Sequence, residues 1–98
     1  MRMMLKFSIP VERGNAAISD GMIAKTLETI TTQLKPEAAY FGPTEGMRGG
    51  MVFFDLADPS QIIEVVEPLF LNLNATAHLA PVMNIDDLRK GLAKVGVK

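Results

Sequence analysis

The sequence predicts an α+β domain in which helices cover one face of a four-stranded sheet. Every second residue from Met3 to Ile9 is apolar, and Lys6 and Ser8 lie between them, which is the period of a half-buried strand. Residues 23–34 and 62–70 instead repeat apolar side chains every three or four positions, as amphipathic helices do. Hydrophobic residues make up 48% of the chain and charged residues 21%, a balance typical of a packed globule.

The first strand and the first helix follow from these periods. The strand turns Met3, Leu5, Phe7 and Ile9 to one side and ends at Pro10. Residues 11–15 are interpreted as a polar turn. The helix carries the apolar stripe Ile23, Leu27, Ile30 and Leu34 and ends before Pro36. We expect it to begin between Asn15 and Ser19, because Asn15, Ser19 and Asp20 can each accept hydrogen bonds from free amides, and Gly21 weakens an early turn.

Two short apolar runs, residues 38–41 and 51–56, flank a stretch that contains Gly42-Pro43 and Gly46, and they are predicted to be strands two and three. A second helix opens at Asp58-Pro59, where Asp caps and Pro fits the first turn. Its apolar face comprises Ile62, Ile63, Val66, Leu69 and Phe70. Pro68 is expected to kink or end it, because proline lacks the N–H that would bond the carbonyl of Glu64. Residues 75–82 form strand four.

The last helix has the clearest boundaries. Asn84 is the predicted cap, Asp86 and Asp87 suit the first turn, and Lys90, Lys94 and Lys98 lie toward the end. Its apolar side chains are Leu88, Leu92 and Val95. The complete order is βαββαβ with an extra C-terminal helix, which indicates a ferredoxin-like fold. Residues 1–98 are too few for two cores, so we expect a single domain.

Composition argues against several classes of function. Ten basic and eleven acidic residues nearly cancel and no segment concentrates Lys or Arg, so we expect no nucleic-acid partner. The absence of cysteine excludes disulfides and thiolate ligands and suits a cytoplasmic protein. A single histidine predicts no metal site, and we expect no cofactor. Lys6 and Ser8 interrupt the apolar N-terminus, so we expect neither a signal peptide nor a membrane span.

The sheet face turned away from the helices is predicted to be mixed in polarity. On strand one it carries Met4, Lys6 and Ser8, and on strand four Thr76, His78, Ala80 and Val82. Residues 51–54 are apolar on both sides, as in strands buried on both faces. A second copy of the chain is the simplest cover for such a face, because two-fold dimers are the commonest oligomers. The sequence therefore predicts a homodimer that closes a two-chain barrel.

Several short segments resemble an uncharacterised family within the dimeric α/β-barrel superfamily: Lys35-Pro36-Glu37, Met47-Arg48-Gly49-Gly50, Leu56-Ala57-Asp58-Pro59 and residues 81–87. Residues 4–10 are also distantly similar to muconolactone isomerases. The resemblance spans most of the chain. It implies a pocket between the helices and the sheet or inside the barrel, and it carries no functional residue over by position.

Three residues are candidates for a site. His78, the only histidine, could act as a general acid or base beside Thr76 and Lys6, or be a hydrogen-bonded interior or interface histidine. Arg48 lies among glycines, where a guanidinium could bind a carboxylate or phosphate, or simply point to solvent. Tyr40 could donate its hydroxyl from a pocket wall, or be half-buried packing.

The sequence leaves three functions open. The first is a dimer that binds a small apolar or weakly anionic molecule in a cavity bordered by His78, Arg48 and Tyr40. The second is a cofactor-independent isomerase or monooxygenase acting on an aromatic or lactone-like substrate, with His78 moving the proton and Arg48 holding a carboxylate. The third is a structural assembly module that has no cavity.

Overall fold

The computed structural model describes residues 1–96, so Lys98 lies outside the described part of the chain. The chain is α+β and has eight elements in sequence order: β1 (Arg2–Ile9), α1 (Val11–Ser19), α2 (Met22–Leu34), β2 (Ala38–Thr44), β3 (Met47–Asp55), α3 (Gln61–Leu73), β4 (Thr76–Pro81) and α4 (Ile85–Lys94). The four strands form one antiparallel sheet in the order β2-β3-β1-β4. This arrangement is compatible with a ferredoxin-like fold.

The side chains of the central strand β1 alternate between the two faces of the sheet, as the sequence predicted. Met3, Leu5, Phe7 and Ile9 are all buried. They form the core together with Val52 and Phe54 of β3 and with apolar side chains from α1, α2 and α3. We call the opposite surface the open face, which includes Met4, Lys6, Ser8, Tyr40, Met51, Phe53, Thr76 and His78. Within residues 1–96, no helix packs across it.

The predicted start of the first helix was wrong. Residues 11–15 are not a turn but the beginning of a separate helix, α1, whose buried residues are Gly14 and Ala17. The break comes later, at Gly21, which adopts a left-handed φ of 78°. Gly21 is the N-cap of α2, and Asp20 is the C-cap of α1. The Asp20 carboxylate nevertheless lies at the start of α2, because its Oδ1 accepts the amide of Met22 at 2.9 Å.

The β2–β3 hairpin is longer than predicted, and its turn lies elsewhere. Gly42 and Pro43 belong to β2 rather than to the turn. Proline is tolerated there because β2 is an edge strand and one row of its N–H groups needs no partner. The turn is Glu45-Gly46, with φ of 56° and 80°. Two successive positive φ values in a two-residue loop are the pattern of a type I′ hairpin turn, whose twist matches that of the strands.

Helix α3 begins two residues after the predicted opening and passes through Pro68. The Ser60 hydroxyl and amide both donate to Asp58 Oδ1, at 2.7 and 2.8 Å, and these hydrogen bonds lower the pKa of Asp58 below its ordinary value. Pro68 was expected to kink or end the helix, and the ending was wrong, because α3 continues through Pro68 to Leu73. Leu69 and Leu73 are fully buried in the core, so their packing stabilises the last turns despite the missing N–H.

Helix α4 starts as its sequence predicted. The Asn84 side chain accepts the Asp87 amide at 2.8 Å, and the Asp87 carboxylate accepts the Asn84 amide at 3.1 Å, forming a reciprocal capping box. None of its residues is buried. None of the described helices, α4 included, is long and apolar enough to cross a bilayer.

Two leucines on α3 provide a test of the core. Leu69 is fully buried, whereas Leu71 is 77% exposed. We expect Leu69→Ala to lower the free energy of unfolding by about 2–5 kcal/mol, because it removes buried methyl groups and leaves a cavity. Leu71→Ala should change the free energy of unfolding by less than about 0.5 kcal/mol. Urea denaturation followed by circular dichroism measures both, and equal effects would contradict the described packing of α3.

Candidate functional site

An open-mouthed cavity of about 600 Å³ lies between the helices and one end of the sheet. We call it the helix-side cavity. Its lining is apolar apart from one charged side chain, Arg48, and includes Phe7, Ile9, Val11, Ile23, Leu27, Phe41 and Met47. The side chains of Val11 and Phe41 are 51% and 53% exposed, so they mark the mouth of the cavity. Such a lining can bind an apolar molecule that carries one polar group.

Two aromatic rings form a wall of the helix-side cavity. Phe7 and Phe41 contact each other edge to face, with ring centroids 6.4 Å apart and an interplanar angle of 60°. Gly50 lies opposite both residues in the sheet register. A Cβ at Gly50 would stand 2.7 Å from Phe41 Cδ1 and 3.2 Å from Phe7 Cε1. Glycine at position 50 is therefore what lets the two rings meet.

Arg48 reaches the cavity from β3. It pairs with Ile9 in the register, so its side chain lies on the helix side of the sheet. Its guanidinium donates to Asn15 Oδ1 at 3.0 Å and to the Val11 carbonyl at 3.5 Å, both in α1. It forms no ion pair with a carboxylate of residues 1–96. The guanidinium thus carries an uncompensated positive charge at the edge of an apolar cavity.

Gly14 of α1 makes room for this guanidinium. A Cβ at Gly14 would stand 2.7 Å from Arg48 Nη1. The glycine costs helix stability, since glycine inside a helix is about 1 kcal/mol less favourable than alanine. Its presence in α1 is explained by the close approach of Arg48.

His78 and Tyr40 lie on the other side of the sheet. They belong to one row across the open face, in which Tyr40, Met51, Lys6 and His78 are successive neighbours. At about 4.8 Å per strand spacing, Tyr40 and His78 are separated by about 14 Å. The prediction of one cavity bordered by His78, Arg48 and Tyr40 is therefore wrong, because the sheet stands between Arg48 and the other two.

A charged groove lies at the opposite end of the sheet, around the N-terminus. Most of its charges are paired: Arg2 Nε contacts Glu37 Oε1 at 2.6 Å, Arg2 Nη1 contacts Asp87 Oδ2 at 3.5 Å, and the Met1 ammonium contacts Asp55 Oδ1 at 2.7 Å. The hydrogen bond and the charge of Glu37 raise the pKa of Arg2. Lys35 also lines the groove and forms no ion pair within residues 1–96.

Gly14, Phe41 and Gly50 were not among the site residues predicted from the sequence, although Gly50 was noted beside Arg48. Gly14 was assigned to a turn, and glycine inside a helix would have been the signal for a close approach. Gly49-Gly50 within an apolar strand was such a signal as well, since glycine in a strand weakens it unless another group needs the space.

No protein-family model and no curated protein matches the chain. The resemblance to the dimeric α/β-barrel superfamily therefore stays a prediction. Across residues 1–96 there is no cluster of three or more His, Asp or Glu side chains that could hold a metal ion.

The position of Arg48 can be tested through Gly14. We expect Gly14→Ala to displace the guanidinium and break its contacts with Val11 and Asn15, while the fold survives because the end of an arginine side chain can move. The Nε–H signal of Arg48 in a ¹⁵N NMR spectrum should shift. Gly91→Ala is the matched control, since nothing lies within 4 Å of a Cβ on that helical glycine. An unchanged Arg48 signal in Gly14→Ala would contradict the described contact.

Proposed function

We propose that the protein is a homodimer that binds a small apolar molecule with a weakly anionic group, such as a carboxylate, in the helix-side cavity. The observation that carries this proposal is the combination of an apolar lining with one guanidinium that no carboxylate of the described chain neutralises. Arg48 would hold the anionic group, and the apolar lining would hold the rest of the molecule.

The donors of Arg48 support an anionic group. A guanidinium has five N–H donors, of which two are used by Val11 and Asn15, so three remain available. Two of them can bind both oxygens of a carboxylate in parallel. The apolar surroundings strengthen this pairing, because a low local dielectric screens charges less than water does.

The volume of the cavity supports a small molecule. About 600 Å³ falls within the range of about 300–1,000 Å³ that is usual for ligand pockets. The Phe7–Phe41 wall favours a flat or aromatic body, since aromatic pairs add attraction beyond the buried area. An aryl carboxylate therefore satisfies both parts of the cavity.

Two exposed surfaces support the homodimer. On the open face, Tyr40 and Met51 are 70% and 40% exposed. On α4 and its C-cap residue Val95, the apolar side chains Ile85, Leu88, Leu92 and Val95 are between 39% and 73% exposed. The radius of gyration of 15.6 Å also exceeds the value of about 13 Å expected for a compact chain of this length. A second copy packed on the open face in a dimeric α/β barrel would cover part of this apolar surface.

The geometry favours binding over the proposed enzyme. An isomerase or oxygenase that used His78 for proton transfer and Arg48 for the carboxylate would need both residues on one substrate. They lie on opposite faces of the sheet, so a single small molecule cannot touch both. An assembly module needs no cavity, and the ligand experiment below separates it from a binding protein.

The ligand proposal predicts a charge-dependent thermal shift. Naphthoate should raise the melting temperature more than naphthamide, since only the carboxylate can pair with Arg48. A ligand at about 100 times its dissociation constant should add about 2.7 kcal/mol to the free energy of unfolding. In Arg48→Gln the preference for naphthoate should fall about tenfold or more, because a hydrogen bond to a charged group contributes about 1.5–3 kcal/mol.

Two variants control this measurement. Arg89→Gln makes the same change at an exposed arginine of α4 and should keep the preference. His78→Ala should keep it too, because His78 lies across the sheet. No shift with either compound, or equal shifts in the wild-type protein, would contradict the proposed ligand.

The homodimer predicts a mass about twice the 10.7 kDa of one chain in light scattering. Met51→Lys should shift the mass toward that of one chain, because it places a charge in the apolar part of the open face. Ile63→Lys is the matched control, since Ile63 is 66% exposed on α3, on the other side of the sheet. A wild-type mass of one chain at micromolar concentration would remove the homodimer.

A further inference from the structure

A second, smaller pocket lies on the open face, beside the tip of the β2–β3 hairpin. Its volume is about 240 Å³. We call it the open-face pocket, and its polar lining consists of Lys6, Ser8, Thr44, Glu45, Thr76 and His78. All of these residues come from one chain, and in the proposed homodimer the pocket would lie between the two packed open faces.

Hydrogen-bond donors dominate this pocket. Lys6 and His78 are direct neighbours across β1 and β4, and neither forms an ion pair within residues 1–96. Lys6 carries up to three N–H donors, and an imidazole carries at least one in either tautomer. A group that accepts several hydrogen bonds and carries negative charge would satisfy them together.

A pair of hydroxyl groups in the lining adds a further donor. Ser8 Oγ and Thr76 Oγ1 are 2.8 Å apart, and Ser8 is only 7% exposed. The pair has two hydroxyl hydrogens, and its mutual hydrogen bond uses one of them. The second hydrogen is left for an acceptor, whichever residue donates to the other.

Glu45 supplies the one carboxylate of the lining and restricts the ligand further. It would repel an oxyanion that has no proton to donate. It would accept a hydrogen bond from an oxyanion that also carries a hydroxyl group. The pocket therefore combines donors for negatively charged oxygens with an acceptor for one O–H.

We infer that the open-face pocket binds a small oxyanion that carries a hydroxyl group, such as hydrogen phosphate or a 2-hydroxycarboxylate. Lys6, His78 and the Ser8–Thr76 pair would hold the charged oxygens, and Glu45 would accept the O–H. This inference is independent of the proposed aryl carboxylate, because the two sites lie on opposite faces of the sheet.

The test is an NMR titration of the ¹⁵N-labelled protein at neutral pH and constant ionic strength. Sodium phosphate should produce saturable shifts at the amides of residues 6–8, 44–45 and 76–78. Lys6→Gln should weaken this binding at least tenfold, whereas Lys90→Gln, an equal change of charge on α4, should leave it unchanged. Shifts that do not saturate, or an equal loss in Lys90→Gln, would show general ionic attraction and overturn the inference.

Sulfate and glycolate complete the test. Sulfate has no proton to offer at neutral pH, so it should bind several-fold more weakly than phosphate, and Glu45→Gln should remove that difference. Sulfate that binds as tightly as phosphate in the wild-type protein would overturn the role of Glu45. Glycolate is a 2-hydroxycarboxylate, so its comparison with phosphate distinguishes the two classes of ligand. The class whose member binds more tightly is the one that the pocket accepts. If neither binds, the inference is overturned.

Discussion

Strand β1 is hydrogen-bonded along both edges, so its alternation decides which side of the sheet each neighbouring residue occupies. Leu5, Phe7 and Ile9 are at most 2% exposed, and a shift of register by one residue would move all of them to the open face. Because β3 and β4 both pair with β1, the free-energy cost of exposing these three side chains fixes the register of β3 and β4 as well. The separation of Arg48 from His78 is therefore a consequence of how β1 is buried.

The sequence predicted what depends on local periodicity. The alternation of β1 was sufficient to predict a strand, and the apolar stripe of α2 was sufficient to predict a helix. The Asn84 cap was recognised from its side chain and from the aspartates that follow. The errors arose where distant structure decides. Gly42-Pro43 looks like a turn unless β2 is known to be an edge strand, and Pro68 looks like a helix end unless the burial of Leu73 is known.

The candidate site was harder to predict because the sequence of β3 does not distinguish its two faces. Residues 51–54 are all apolar, so the sequence does not reveal which alternate residues face the helices, although Val52 and Phe54 prove to be the buried pair. Without that distinction, the side of the sheet on which Arg48 lies is undetermined. His78 and Arg48 could then be placed in one cavity, whereas pairing with β1 places them on opposite faces.

Within residues 1–96, helices pack on only one face of the sheet. The covered face leaves an apolar cavity with a single guanidinium, and the open face leaves a polar pocket lined by Lys6, His78, Glu45 and three hydroxyl side chains. Because a four-stranded sheet lies between them, a ligand in one cavity makes no contact with the groups of the other. The helix-side cavity can therefore discriminate between ligands by their apolar shape. Independently of it, the open face can favour polar ligands or contact with a second copy.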